Sequence, residues 1–333
     1  MKKLSLLLVS ILLVGSMAGC SSKTTEETKP QGTTPAADAA YKWPVKNIEI
    51  VVPASAGGDT DFNARAMAKY FTKATGVTMV VTNMTGGGGT VATSHVKGAK
   101  NDGSIMLYGH TGQLLVNQVS GLADYGISAF EMCSIPAVDK GTVFVVSAES
   151  GIKSVADLVK ASNTKPIIFG SELGGYTHLQ GLIFSKLTGA KLDVVDVGAA
   201  AEKITNLLGG RIDLISVAYG AVKDYVETKK MVVIGQASGE RNPLLGDIPT
   251  IKEQGFDFAM DKPYIAEFPK GTDATFVAQV SKTIKEIGSN PDYVKELAET
   301  YKQPVTYYNA EDSIKLLDGL LADYMKYQAE LKK

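Results

Sequence analysis

The stretch IEIVVPASAGGDTDFNARAMAKYFTKATG, residues 48–76, carries the reading of the fold. Ile48 to Ala54 is a short apolar run rich in Ile and Val, as strands buried on both faces are. Small residues and two glycines follow, and then Phe62, Ala66, Tyr70 and Phe71 recur at helical spacing. That spacing predicts a helix from Asp61 to about Ala74, capped by Thr60 or Asp61 and stopped by Gly76. A strand therefore runs straight into a helix start. Free N–H groups at such a start attract anions, and the glycines let a ligand approach the backbone. A tight turn with no ligand would read the same way.

Outward from this unit, short apolar runs alternate with helical patterns. The candidate strands are Val77 to Thr82, Ile105 to Gly109, Val143 to Ser147, Ile167 to Gly170, Leu192 to Val197, Ile212 to Val217 and Val232 to Gln236. The alternation predicts an α/β protein whose sheets are mostly parallel and flanked by helices. Helices are expected after Gly86 to Gly89 and from near Gly174, each at the carboxyl end of a strand. The patterns Asp273 to Ile287, Tyr293 to Tyr301 and Ala310 to Leu331 are helical, with only Val305 to Tyr308 strand-like, and they need a core to cover. The simplest arrangement has two lobes. Residues 41–140 begin lobe one, residues 141–254 build lobe two, and residues 255–333 return to finish lobe one, so that two crossings form a hinge beside a ligand cleft.

At the amino end, Lys2 and Lys3 precede the apolar run Leu4 to Val14 and the small residues Gly15, Ser16, Ala18 and Gly19. This is a secretory leader, residues 1–19, too short to span a bilayer. Met17 to Cys20 resembles the lipobox of bacterial lipoproteins, with Met17 in place of the usual leucine. The resemblance implies a lipid on Cys20 and a protein held on the extracytoplasmic face of a cell membrane. Residues 20–40 are rich in Thr, Ser, Pro, Ala and Glu without apolar period, and read as a flexible tether.

Composition excludes several functions. The formal net charge is −1 with no basic block, so nucleic acid is not an expected partner. With Cys20 lipidated only Cys133 remains, which forbids an intramolecular disulfide and reads as a small core residue. His95, His110 and His178 share no metal-ligand spacing, and neither a metal nor a cofactor is expected. The run TGGGGT, Thr85 to Thr90, matches a dinucleotide pattern loosely through Gly87, Gly89 and Ala92, and no Gly-Lys-Ser or Gly-Lys-Thr follows. An anion cradle or a structural turn fits it better. Arg65 falls within a helix and Arg211 follows a helix end, so neutral donors and backbone amides are expected to do most of the binding. Ser171 with His178 is the one candidate nucleophile and base, but the GxSxG frame is absent.

Several blocks together resemble the substrate-binding proteins of tripartite tricarboxylate transporters, the Bug family. They are PASAGGDTDFNAR (Pro53 to Arg65), TGGGGT, NDGSIMLYG (Asn101 to Gly109), GSELGGYTHL (Gly170 to Leu179) and the segment Gly209 to Gly255 with its Asp-x-Pro-Thr at Asp247 to Thr250. The resemblance implies two α/β lobes of the periplasmic-binding-protein kind that close on a small carboxylate, and no enzymatic activity. It implies as partners one small organic anion and the integral membrane subunits of a transporter, with the receptor itself monomeric. By matching positions it implies ligand contact at Ser55, Ala56, Gly57, Gly58, Asp59, Thr60, Asp61, Gly87, Gly88 and Thr111. On the other lobe the matching positions are Ser171, Thr177, His178, Ala199 and Ala200. The chain departs from the family at Asp196, Val197, Gly198, where Tyr-Lys-Gly is usual, and in KPYIAEF, where a tryptophan is customary. These departures leave open which carboxylate is bound. A ligand sensor for a signalling partner, or a lipoprotein hydrolase built on Ser171 and His178, are the alternative readings.

Overall fold

The described residues, 41–332 of this computed structural model, form two open five-stranded sheets. The chain begins β1 (Asn47–Val52), α1 (Asp59–Thr75), β2 (Thr78–Asn83), α2 (Thr90–Lys97), β3 (Ile105–His110), a π-helical turn (Gly112–Val116), α3 (Asn117–Ser120) and β4 (Phe130–Asp139). It continues through β5 (Thr142–Ser147), α4 (Val155–Ser162), β6 (Ile167–Ser171), α5 (Tyr176–Thr188), β7 (Leu192–Asp196), α6 (Ala200–Leu208), β8 (Leu214–Ala218), α7 (Tyr219–Glu227) and β9 (Met231–Gln236). It ends with β10 (Lys262–Pro269), α8 (Ala274–Ile287), α9 (Pro291–Tyr301), α10 (Ala310–Met325) and α11 (Gln328–Leu331).

The strand orders are β2-β1-β3-β10-β4 and β7-β6-β8-β5-β9. In each sheet one strand is reversed: β10 is antiparallel to both β3 and β4, and β5 is antiparallel to both β8 and β9. The other strands of each sheet run one way, so the expected mostly parallel α/β architecture is present, with a reversed strand inserted next to the edge. The connection from β4 to β5 passes through Lys140 and Gly141, and the return from β9 to β10 passes beside it. Ala237 donates its N–H to Thr142 O at 2.9 Å, Met260 donates to Ala237 O at 2.8 Å, and Lys262 lies opposite Asp139 in register.

Strand β1 shows why the runs of Ile and Val fold this way. Ile48, Ile50 and Val52 face Ala64, Met67 and Phe71 of α1 in one core layer, while Val51 faces the layer holding Ala92 and Val96 of α2. With both faces covered, alternation of apolar and polar residues disappears. In the second sheet Phe144 stacks on Phe184 with ring centres 4.6 Å apart and meets Phe258 edge-on at 5.4 Å. One apolar cluster runs without a break from Leu107 and Ile265 of the first sheet to Phe144 and Ile234 of the second.

Three expectations change. Helix α1 starts at Asp59, two residues early, and its N-cap is Gly58 with no side-chain cap, because the Asp61 carboxylate is engaged by Gly57 and Arg65 instead. Strands β4 and β10 were not expected: Glu131, Pro136, Lys262, Pro263 and Glu267 interrupt their apolar character and read as loop. The strand-like Val305 to Tyr308 contributes only a bridge between Tyr308 and Ile135. Residues 1–40, with the leader, Cys20 and the tether, lie outside the described residues. Cys133 is fully buried in β4, and burial pushes its thiol up to about 12.

Candidate functional site

Among the described residues, the helices α1, α2, α5, α6 and α7 each follow the carboxyl end of a strand, and none has a side-chain cap. Their N-cap positions are Gly58, Gly89, Gly175, Ala199 and Ala218. Helices α4, α8, α9 and α10, in contrast, are capped by Ser154, Asp273, Asn290 and Asn309. A side-chain cap satisfies N–H groups that an anion would otherwise use. The uncapped starts are thus the ones able to receive a ligand, with Gly or Ala standing where Ser, Asp or Asn would serve, although at α7 the first N–H, of Tyr219, is taken by Gly141 O at 2.9 Å.

The strand ends of the two sheets face one another. His110, ending β3, and Tyr176, opening α5, hold their ring centres 5.7 Å apart. A Cβ built on Gly112 would lie 3.1 Å from the Tyr176 Cβ, and one on Gly174 would lie 2.8 Å from Leu122 Cδ1. The Tyr176 hydroxyl donates to Asp261 O at 3.1 Å. Grooves of about 460 and 420 Å³ lie elsewhere, one beside Cys133 and Tyr307 and the other beside Lys140 and Tyr324, and neither is lined by these loops.

Charge is concentrated at this junction. Lys262 pairs with Asp59 and, at 3.4 Å, with Asp139. The Tyr264 hydroxyl donates to Asp59 Oδ2 at 2.6 Å. Asp139 in turn accepts from the Gly141 N–H at 2.7 Å and the Thr142 hydroxyl at 2.8 Å, so one ionic network joins the start of α1 to both crossing segments. Burial would raise the Asp59 carboxyl, but the charge and hydrogen bond of Lys262 and the bond from Tyr264 outweigh it and hold it well below the usual range. His110 moves down to about 3, chiefly by burial and then by the Lys262 charge, so its ring is neutral at pH 7. Its Nδ1 accepts from the Gly112 N–H at 3.0 Å. Lys203, in the first turn and a half of α6, is 3% exposed, and its ammonium has no hydrogen bond or ion pair among the described residues. Burial lowers its ammonium below the ordinary lysine value.

The positions named from sequence distribute as follows. Ser55, Ala56 and Gly57 are exposed in the turn before α1; the Gly57 N–H is committed to Asp61 Oδ2 at 2.9 Å, and its carbonyl accepts from the Tyr301 hydroxyl at 2.9 Å. Gly58 caps α1, while Asp59 and Thr60 open it. Asp61 is buried and also accepts from Arg65 and Asn83, a local brace for the loop. Gly87 and Gly88 are exposed, and the four glycines Gly86 to Gly89 all have positive φ, which only glycine adopts readily. Thr111 is fully buried. Ser171 is buried and its hydroxyl reaches only Val195 O, at 3.5 Å, whereas His178 Nδ1 accepts from Gly174 N at 3.0 Å. The nucleophile and base arrangement considered for this pair is not formed. The Thr177 hydroxyl accepts from Glu172 N at 3.1 Å, and Ala199 and Ala200 form the bare start of α6. Sequence reasoning missed His110, Asp139, Lys203, Lys262 and Tyr264. The available signal was Lys203, a lysine on the same buried face of α6 as Ile204 and Leu207.

Residues 63–326 match the family described as tripartite tricarboxylate transporter family receptor. The chain belongs to that family. Protein BugT of Bordetella pertussis is 24% identical over 273 residues, covering 80% of this chain and 84% of BugT. A solved R. palustris protein with adipate is similar in fold, with a TM-score of 0.77 and 23% identity over 87% of this chain and 98% of the other. MatC from Rhodopseudomonas palustris, solved with bound malate, gives a TM-score of 0.73 at 20% identity, covering 87% of this chain and all of MatC, 100%. The receptor family and the periplasmic-binding-protein fold expected from sequence are therefore present, and the chain is a solute-binding receptor of this kind.

Proposed function

We propose that this receptor captures a small di- or tricarboxylate between its two sheets and delivers it to the membrane subunits of a tripartite transporter. The observation that carries the reading is the set of five uncapped helix starts at the facing strand ends. Each such terminus favours an anion by about 0.3–1 kcal/mol at exposed sites and more when partly buried. The adipate and malate held by two structural relatives support a carboxylate as the ligand.

In this reading residues 41–140 with 255–333 form lobe one and residues 141–254 form lobe two. Amides at Asp59 and Thr60 and at Gly87 and Gly88 serve one end of the ligand. The start of α5, with the Thr177 hydroxyl, and the start of α6, with Ala199 and Ala200, serve the other. The network from Asp59 through Lys262 to Asp139 connects the first loop to the hinge, so that occupancy of the cleft bears on the crossing segments. Cys20 carries the lipid, which keeps the monomeric receptor at the membrane where its transporter resides. No helix of the described residues is long and apolar enough to cross a membrane.

The test is a thermal-shift panel of citrate, tricarballylate, succinate, malate, adipate, glutamate and uncharged controls on chain stripped of copurifying ligand. A ligand that binds only the folded state stabilises it by about 2.7 kcal/mol at a hundredfold excess over its dissociation constant. A shift with one or more carboxylates and none with the uncharged controls is the expected result. Equal shifts with uncharged controls, or none with any acid, would remove the proposal.

A further inference from the structure

We infer that Lys203 is the residue that selects for a second carboxylate on the ligand, its unbonded ammonium, at the accessible end of a buried side chain, receiving an anionic group whose partner carboxylate rests on the loop amides of the opposite sheet. This rests on the carboxylate reading above and adds to it a residue and a valence.

The two buried lysines of the junction differ in a telling way. Lys262 is 8% exposed and is bonded to two carboxylates, Asp59 and Asp139. Lys203 is 3% exposed and is bonded to none among the described residues. A lysine stem is rarely this buried unless its ammonium is paired, and the Lys203 Nζ, which is not among the enclosed polar atoms, is left accessible at the end of that stem. A purely structural residue on the apolar face of α6 would be an aliphatic one, like its neighbours Ile204 and Leu207. The retained charge therefore points to a partner that the protein itself does not supply.

The direction of the side chain fits. Side chains on a helix lean toward its N-terminus, and the N-terminus of α6 is the bare start at Ala199 and Ala200. The ammonium thus adds up to three charged donors to free backbone N–H groups at one place. The charged groups near enough to act on it are Glu172, Lys262, Asp59 and Glu202, and its own charge acts on His110. Asp59 is taken by Lys262 and Tyr264, His110 is neutral, Glu202 is exposed to water, and Glu172, whose carboxyl burial raises and the Lys203 charge lowers, forms no ion pair with Lys203. Across the junction, the first sheet offers amides at Gly87 and Gly88 and, among the described residues, no second buried lysine without an ion pair. A ligand with one carboxylate satisfies only one side, and a ligand with two satisfies both.

The experiment is calorimetric titration of the full-length chain and its Lys203→Met and Lys203→Arg variants with adipate, malate and adipate monomethyl ester. Loss of charged hydrogen bonds predicts that Lys203→Met weakens dicarboxylate binding by about 10- to 100-fold while changing monoester binding by less than about threefold. Lys203→Arg retains the preference for the diacid. The ligand-free Lys203→Met variant unfolds at the same temperature as the parent or higher, since burial of the side chain disfavours the charge that is removed. Dicarboxylate binding by Lys203→Met equal to the parent, equal loss of diacid and monoester, or loss in Lys203→Arg matching that in Lys203→Met would each overturn the assignment. If the parent binds no carboxylate, the proposed function fails first and this inference with it.

Discussion

Replacing Lys262 by Met removes the cation that two buried carboxylates share. Its side chain is 10% exposed, and those of Asp59 and Asp139 are 19% and 3% exposed. Removing one partner of a buried pair costs about 3–5 kcal/mol, because the charge left behind is neither solvated nor paired. Asp139 keeps the Gly141 N–H and the Thr142 hydroxyl, and Asp59 keeps Tyr264, which places the expected loss near pH 7.5 toward the lower end, about 3 kcal/mol. The pH dependence is the sharper signature. In the parent the folded Asp59 value is depressed, so its contribution is present above the unfolded value of 3.8 and is lost as pH falls through the folded one. Without Lys262, burial dominates and raises the folded value. The variant then regains stability relative to the parent as pH falls toward 4, by up to about 1.4 kcal/mol per pH unit. Urea unfolding of both proteins from pH 4 to 8 reads the difference directly. A loss below about 1 kcal/mol with parallel pH profiles would refute the ionic network.

His110 supplies a second pH signature: its folded value of about 3 lies below the ordinary value of 6.5, so its contribution is present above pH 6.5 and is lost as pH falls toward 3. The slope is about 1.4 kcal/mol per pH unit, and thermal unfolding of a His110→Asn variant should lack it. Glu267 is fully buried with both carboxylate oxygens unbonded, and burial raises it well above the ordinary value. Its contribution is therefore lost as pH rises above the unfolded value, and Glu267→Met is expected to stabilise the chain at pH 7 by about 1–3 kcal/mol in urea unfolding. Gly89 has φ +95° and a Cβ there would lie 2.3 Å from Gln113 Cγ, so Gly89→Ala should cost about 1–3 kcal/mol by the same measurement. Cys133 should resist iodoacetamide in the native chain and react once unfolded, as mass spectrometry would show.

The elements that could be read from sequence are those whose pattern is local. Ile48 to Val52 and the helix behind it declare themselves through apolar spacing and the glycine at Gly76, whose φ of +75° ends α1. The three C-terminal helical patterns hold for the same reason, with Asp273, Asn290 and Asn309 as caps. Strand β10 was hidden because Lys262 and Glu267 are charged residues whose burial is decided by distant partners and by the sheet around them. Glycine turns locate the bare helix starts well, since backbone geometry dictates them. They do not reveal His110, Lys203 or the Asp59–Lys262–Asp139 network, which arises from contacts between residues up to 203 positions apart. Asp61, Ser171 and His178 look functional in a linear reading but turn to local bonds, because a side-chain acceptor near a bare N–H is as useful for holding a loop as for holding a ligand.

The most direct test of anion capture by bare helix starts is a titration of the ¹⁵N-labelled chain with malate and adipate, followed by backbone amide resonances. The account predicts the largest shifts at Gly58 to Thr60, Gly87 and Gly88, Tyr176 and Thr177, and Ala199 to Ala201. Changes confined to the groove beside Cys133 and Tyr307, or to the capped starts of α4, α8, α9 and α10, would contradict it.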